Sequence, residues 1–379
     1  MVGLRFLVPP IGVRIPVREP RKIRYAHRVA NYKTSLRRFY HILHMNLKNL
    51  NKALEGQPNF RFKQTSKAIF VDLITDWNDN TTLPLALREK LNSECPLEIK
   101  SELFGSKNSE TLKALITLED DTRVETVLMK HEDGRATVCV SSQVGCPMGC
   151  NFCATGKMGY KRNLEVSEIV EQVLFWQRYL HTDEKSPDRV TNVVYMGMGE
   201  PFLNYDNVME SIRLINDKDG FNIGARHISV STCGLIDEIN KFAKEKMQIN
   251  LAISLHAPND KLRSELMPIN RKYPLRDLID AVDQYVENRS RQVMFEYLMI
   301  DGVNDSEYHA RELAELVNGP LYMVNLIRYN PTGRYKPSSA VAIRKFKNIL
   351  LREGIKVTQR HSFGTDIDAA CGQLATKNK

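Results

Sequence analysis

A chain of 379 residues with 42% hydrophobic side chains can bury a sizeable core, and its length suits one large domain with a smaller one, or two comparable domains. Its net charge of +9 sits in the first 44 residues, where ten Arg or Lys side chains face Glu19 alone. The remainder is therefore near neutral, and total charge says little about what the folded body binds. No apolar run of about 18 residues can span a bilayer, no secretory leader is legible, and seven unevenly spaced cysteines argue against an extracellular disulfide scaffold; a soluble, cytoplasmic chain with metal or redox cysteines is expected.

In chain order, residues 1–45 form an Arg-rich extension broken by Pro9, Pro10, Pro16 and Pro20. It reads as a disordered RNA-binding arm, a transit-like peptide, or untranslated sequence ahead of a true start at Met45. From 46 to about 120 the apolar spacing, as in Ala68-Ile69-Phe70-Val71-Asp72-Leu73-Ile74, predicts a small, mostly helical accessory domain. Then β-like runs at 137–141, 192–198, 227–232, 250–255, 292–299, 322–329 and 356–360 alternate with amphipathic helices at 165–180, 207–216, 235–246, 275–287, 307–316 and 342–353. Repeated βα units imply an α/β fold: a parallel barrel over 121–355 with its chemistry where strands end, then a last strand and mobile tail over 356–379.

Directly after the first barrel strand stands Gly145-Cys146-Pro147-Met148-Gly149-Cys150-Asn151-Phe152-Cys153, a C-x3-C-x2-C pattern. A structural zinc site wants four ligands in a closed tetrahedron, and the nearest fourth candidate, Cys139, lies seven residues back along a strand. Three thiolates on a 4Fe-4S cluster leave one iron open to chelate a substrate. The bland alternatives are a zinc site completed by a distant Cys or His, and a merely Cys-rich loop.

The sequence around this motif resembles the RlmN/Cfr family of radical-SAM RNA adenine methyltransferases. The likeness runs through Cys139-Val140-Ser141-Ser142-Gln143-Val144-Gly145-Cys146, Cys153-Ala154-Thr155-Gly156, Met196-Gly197-Met198-Gly199-Glu200-Pro201, Ser229-Val230-Ser231-Thr232, Ser254-Leu255-His256-Ala257-Pro258, Met267-Pro268-Ile269-Asn270 and Asp366-Ile367-Asp368-Ala369-Ala370-Cys371-Gly372-Gln373-Leu374. It spans about residues 60 to 375, leaving the basic extension outside.

The resemblance implies a partial (β/α)6 radical-SAM barrel with a small helical N-terminal accessory domain that grips RNA. It implies one 4Fe-4S cluster on Cys146, Cys150 and Cys153, and S-adenosylmethionine, two per turnover, contacted by Gly199, Glu200, Ser231, Ser254, Leu255, His256 and Asn330. Without it, Gly199 and Glu200 read as a turn, and His256 as a satisfied core histidine. Cys371 becomes the methyl carrier: its thiolate takes a methyl from one S-adenosylmethionine, a 5′-deoxyadenosyl radical from a second removes hydrogen, and the carbon radical adds to adenine. Cys139 becomes the resolving thiol that leaves a disulfide with Cys371, and Glu125 the acceptor of the ring proton. Cys95 and Cys233 receive no role.

The implied product is methylation at C2 of a 23S rRNA adenosine and of adenosine 37 of tRNAs, by a cytoplasmic monomer with a flavodoxin- or ferredoxin-type electron donor. C2 is favoured by Gly199-Glu200-Pro201-Phe202-Leu203-Asn204-Tyr205-Asp206-Asn207; Asn325-Leu326-Ile327-Arg328-Tyr329-Asn330-Pro331 and Phe363-Gly364 resemble instead the branch that methylates C8 and confers antibiotic resistance. Rival classes are a radical-SAM enzyme on a non-RNA substrate and a non-catalytic metal-binding RNA protein.

Overall fold

The strand-helix alternation builds one ten-stranded sheet. The computed structural model describes residues 47–106, 110–183, 187, 189–360, 364 and 367–375; the basic extension at 1–45 lies outside them, as do Phe363 and Asp366. Among the described residues the strands are β1 (Ser101–Gly105), β2 (Thr111–Thr117), β3 (Arg123–Lys130), β4 (Ala136–Cys139), β5 (Gln143–Gly145), β6 (Tyr160–Asn163), β7 (Asn192–Tyr195), β8 (Ile228–Thr232), β9 (Asn250–Ser254), β10 (Val293–Met299), β11 (Tyr322–Arg328) and β12 (Lys356–Arg360). The large sheet runs β1-β2-β3-β4-β7-β8-β9-β10-β11-β12, with β5 and β6 paired separately.

From β4 to β12 every pairing is parallel and spatial order equals chain order. Six βα units therefore follow one another, closed by β12, which is the expected partial barrel. The helices form where their ends are satisfied: Glu165 and Glu168 make a capping box for Val166–Thr182, and Ser306 and Ser339 cap Glu307–Leu316 and Ala340–Arg352. Their apolar stripes lie on strands whose residues, such as Val193, Val230, Ile253, Phe295 and Val324, are fully buried.

The mostly helical stretch predicted to about residue 120 needs correction. Helices Leu47–Ala53, Asn59–Phe70 and Leu85–Glu94 are followed by β1 and β2, which pair antiparallel with each other and, through β3, extend the barrel sheet. Almost every residue of β2 and β3 is buried, so neither strand shows the alternation that marks a one-sided strand. Trp77, fully buried, donates from its indole to Cys95 O at 2.7 Å, tying the helices to the chain that enters β1. The described residues fall within one compact unit. None of their helices is long and apolar enough to cross a membrane.

Candidate active site

Every parallel strand delivers a side chain to one end of the barrel, the carboxyl end. Beyond or at those ends lie Cys139 on β4, Met196 to Glu200 after β7, Ser231 and Cys233 at β8, Ser254 and His256 at β9, Glu296 and Leu298 on β10, Ile327 on β11 and Arg360 on β12. A cavity of about 160 Å³ opens there, lined by Cys146, Cys150 and Cys153 together with Gly199, Glu200, Ser231, Ser254 and His256.

The cysteine loop is held by backbone. β5 and β6 pair across it, Cys146 N donates to Gly159 O at 2.9 Å, and Asn151 N donates to Leu266 O at 2.9 Å. Gly145 stands at φ +79°, and a Cβ there would lie 2.0 Å from Gly159 O, so only glycine lets the two strands close. Burial pushes the Cys146 thiol up to about 12 and also raises Cys150 well above its ordinary value, with the neighbouring thiols adding to it. Such thiols stay protonated until a metal displaces the proton.

Among the described residues no three Cys, His, Asp or Glu side chains converge tightly enough to hold a single metal ion. The three thiols ring one cavity instead, which suits a multi-iron cluster that spreads its thiolates over separate irons and presents the remaining iron to the cavity.

Gly199 lies at φ +100°, where a Cβ would meet Gln143 Cβ at 2.6 Å. The Gln143 side-chain carbonyl accepts from Glu200 N at 2.9 Å. Glu200 is buried, its carboxylate accepting from Phe202 N at 3.0 Å and Cys233 N at 2.8 Å; desolvation raises it and these bonds pull it back. The hydroxyls of Ser231 and Ser254 stand 3.3 Å apart. His256 Nδ1 accepts from Leu298 N at 3.2 Å, and burial holds the imidazole down to about 3, so it is neutral with its proton on Nε2. Phe152 meets its ring edge-on at 4.9 Å. Leu255 is fully buried on the parity opposite Ser254 and His256 and does not line the cavity, so its backbone is what it can offer.

The tail is docked against this end. Ala154 N donates to Gly372 O at 2.8 Å, Thr155 Oγ1 to Leu374 O at 2.6 Å and Asn330 Nδ2 to Cys371 O at 3.1 Å. Cys371 thereby lines the large cavity and also a second one of about 20 Å³, which it shares with Cys139, Asn330 and Arg360. Both thiols are free, so the disulfide implied by the resemblance is not formed in this structure. Glu125 lies on β3 on the same parity as Val127 and Met129, which line the small cavity. Its carboxylate pairs with Lys113 Nζ at 3.3 Å and accepts from Ala375 N at 3.1 Å; burial raises it against the pull of Lys113.

Sequence reasoning missed several residues here. Cys233, given no role, lines the large cavity; Cys95, by contrast, lies among the N-terminal helices. Glu296 and Arg360 face the cavity from β10 and β12. Arg263, fully buried, donates to Leu255 O at 3.2 Å, Cys233 O at 2.7 Å and Asn270 Oδ1 at 2.9 Å, fixing the ends of β8 and β9.

A parallel barrel with three cysteines in the loop after its first parallel strand, opening on a cavity with a buried carboxylate, defines a radical-SAM enzyme. Residues 140–314 match the radical SAM superfamily model. Beyond that, the chain is 44% identical over 345 residues to a probable dual-specificity RNA methyltransferase RlmN of Dictyoglomus turgidum, covering 89% of this chain and 98% of that one. It is 46% identical to the protein of the same name from Bacillus cytotoxicus, covering 86% and 90%. The crystal structure of a radical SAM methyltransferase from Sphaerobacter thermophilus superposes with a TM-score of 0.83 at 44% identity, over 87% of this chain and 97% of that chain. The chain belongs to the RlmN family of radical-SAM RNA methyltransferases.

Proposed function

We propose that the enzyme methylates C2 of a 23S rRNA adenosine, and of adenosine in tRNA, by loading the methyl first onto Cys371. The observation that supports this most is the small cavity that Cys371, on the tail, shares with Cys139, on β4, beside the cluster-side cavity. A packed structural cysteine needs no such partner, whereas a carrier thiol needs one to release its cargo.

Cys146, Cys150 and Cys153 would hold the cluster, and Glu200, with the Ser231 and Ser254 hydroxyls, would orient S-adenosylmethionine through its ammonium and ribose. Those two groups supply the methyl and, once reduced by a flavodoxin- or ferredoxin-type donor, hydrogen abstraction from it, with two S-adenosylmethionine consumed per turnover. Cys371 acts as the nucleophile, and Asn330 holds its backbone carbonyl in place. Glu125, raised by burial, takes the ring proton. With the carbon joined to the ring and the adduct's unpaired electron returned to the bound cluster, Cys139 thiolate bonds to the Cys371 sulfur, the S–C bond breaks, and the carbon leaves with the electron pair and takes a proton.

C2 rather than C8 rests on the sequence block Gly199 to Asn207, which resembles the C2 branch. The test is anaerobic incubation of cluster-loaded enzyme with unmodified 23S rRNA and tRNA, reductant and methyl-labelled S-adenosylmethionine, followed by nucleoside mass spectrometry. Labelled 2-methyladenosine that disappears in Cys371→Ala is the expected result. 8-Methyladenosine would reassign the ring position, and no methylated adenosine despite cleavage of S-adenosylmethionine would overturn the assigned RNA targets.

A further inference from the structure

Arg360, at the end of β12, enters none of the steps above. Arg360 lines both cavities. Among the described residues its hydrogen bonds go to thioether sulfur, Met196 Sδ at 3.6 Å and Met129 Sδ at 4.0 Å. Thioether sulfur is a weak acceptor, while a guanidinium carries five N–H donors and a permanent charge. A half-buried cation is stabilised by an opposite charge nearby. The groups acting on this one are the Cys371 sulfur, the Glu296 carboxylate and the Cys139 sulfur. Glu296 is already engaged, accepting from Asn325 Nδ2 at 2.8 Å.

We propose that Arg360 is the counter-cation of the Cys139–Cys371 sulfur pair, holding the negative charge that each sulfur carries when it acts. The inference rests on the reading of those cysteines as resolving thiol and methyl carrier. Both roles call for thiolate, at a buried Cys139 and a half-buried Cys371. Burial first, and Cys371 second, push the Cys139 thiol up to about 12, and Arg360 is the charge that pulls against them. Among the described residues the other ionisable groups nearby are Glu296 on β10, His131 just after β3, on which Arg360 acts, and the mutually paired Lys113 and Glu125 on β2 and β3. Wherever a sulfur of the reduced pair is ionised, a fixed cation also stabilises that pair relative to its disulfide, so the oxidised enzyme left after each turnover is more readily reduced.

The test is a thiol–disulfide equilibrium of full-length, cluster-loaded protein in anaerobic glutathione buffers at a fixed alkaline pH, where thiolate is populated, with the Cys139–Cys371 bond quantified by peptide mapping. Protein dithiol and glutathione disulfide give protein disulfide and two glutathione, so two electrons pass from the protein pair and one S–S bond is exchanged for another. Arg360→Met shifts the equilibrium toward protein disulfide by about tenfold or more, equivalent to roughly 30 mV for a two-electron couple. Arg360→Lys, which keeps the charge, stays within about threefold of the parent. Arg360→Gln replaces the Met variant if that one does not fold. Equal constants in parent and neutral variants, or an equal shift in the Lys variant, overturn the counter-cation role. Failure of any of these proteins to form a Cys139–Cys371 disulfide at any poise overturns instead the pairing of the two cysteines, and the inference with it.

Discussion

Gly199 has a left-handed φ and no room for a side chain, because the space a Cβ would take is filled by Gln143, whose amide carbonyl fixes Glu200. Gly199→Ala combines a strained backbone with overpacking, each worth about 1 to 3 kcal/mol, and its melting temperature and S-adenosylmethionine affinity should both fall. Glu125→Gln should leave methyl transfer to Cys371 intact, read as a mass increase of the tail peptide. Its RNA product should fall by about 100-fold or more, the usual contribution of a positioned base. At this scale the sequence is informative where chemistry is written locally. The C-x3-C-x2-C spacing and the Gly199-Glu200 turn lie within single loops. Arg360, Glu296 and Arg263 are single charged residues that become site residues only when distant strands bring them together, and no local pattern distinguishes them from solvated surface charges. The opposite parity of Leu255 likewise becomes visible only once β9 and the residues after it are laid out.

Helix Val166–Thr182 covers the barrel and also anchors the N-terminal helices. Arg178 donates to Leu97 O at 2.8 Å and to Ile74 O, so Arg178→Ala leaves two carbonyls without their donor. A loss of about 2 to 3 kcal/mol is expected, seen as proteolytic release of residues before β1 ahead of the barrel. Glu171, two turns earlier on the same helix, lines a separate cavity at this junction and is raised to about 7, chiefly by burial. Its folded value lies above the unfolded one, so the stability it contributes is fully present below about pH 4.5 and is lost as pH rises through 7. Thermal melts from pH 5 to 8 should therefore weaken more steeply in the parent than in Glu171→Gln, by about 1 kcal/mol for this half-buried group. The barrel helices and parallel strands were legible within a few residues because their periods are strong, as in the predicted helix 307–316 and strand 356–360. β2 and β3 were not, since strands buried on both faces lose the alternation from which strands are read, and β1, exposed along its whole length, shows no alternation either.

Across the described residues the sheet is linear: β1 and β12 end it without pairing to each other, so among those residues the barrel is not sealed by hydrogen bonds. Cys139 sits on the first parallel strand and Cys371 beyond the last. A bond between them would link two points more than 230 residues apart in the chain, enclosing everything from the end of β4 through β12 in one covalent ring. By chain entropy such a ring removes about 5 kcal/mol of freedom from the unfolded protein. The oxidised enzyme should therefore melt several degrees above the reduced one, and a calorimetric scan with and without reductant measures the difference. Each catalytic cycle would then alternate between a strapped and an unstrapped barrel, and cells short of reductant would accumulate the sturdier, idle form.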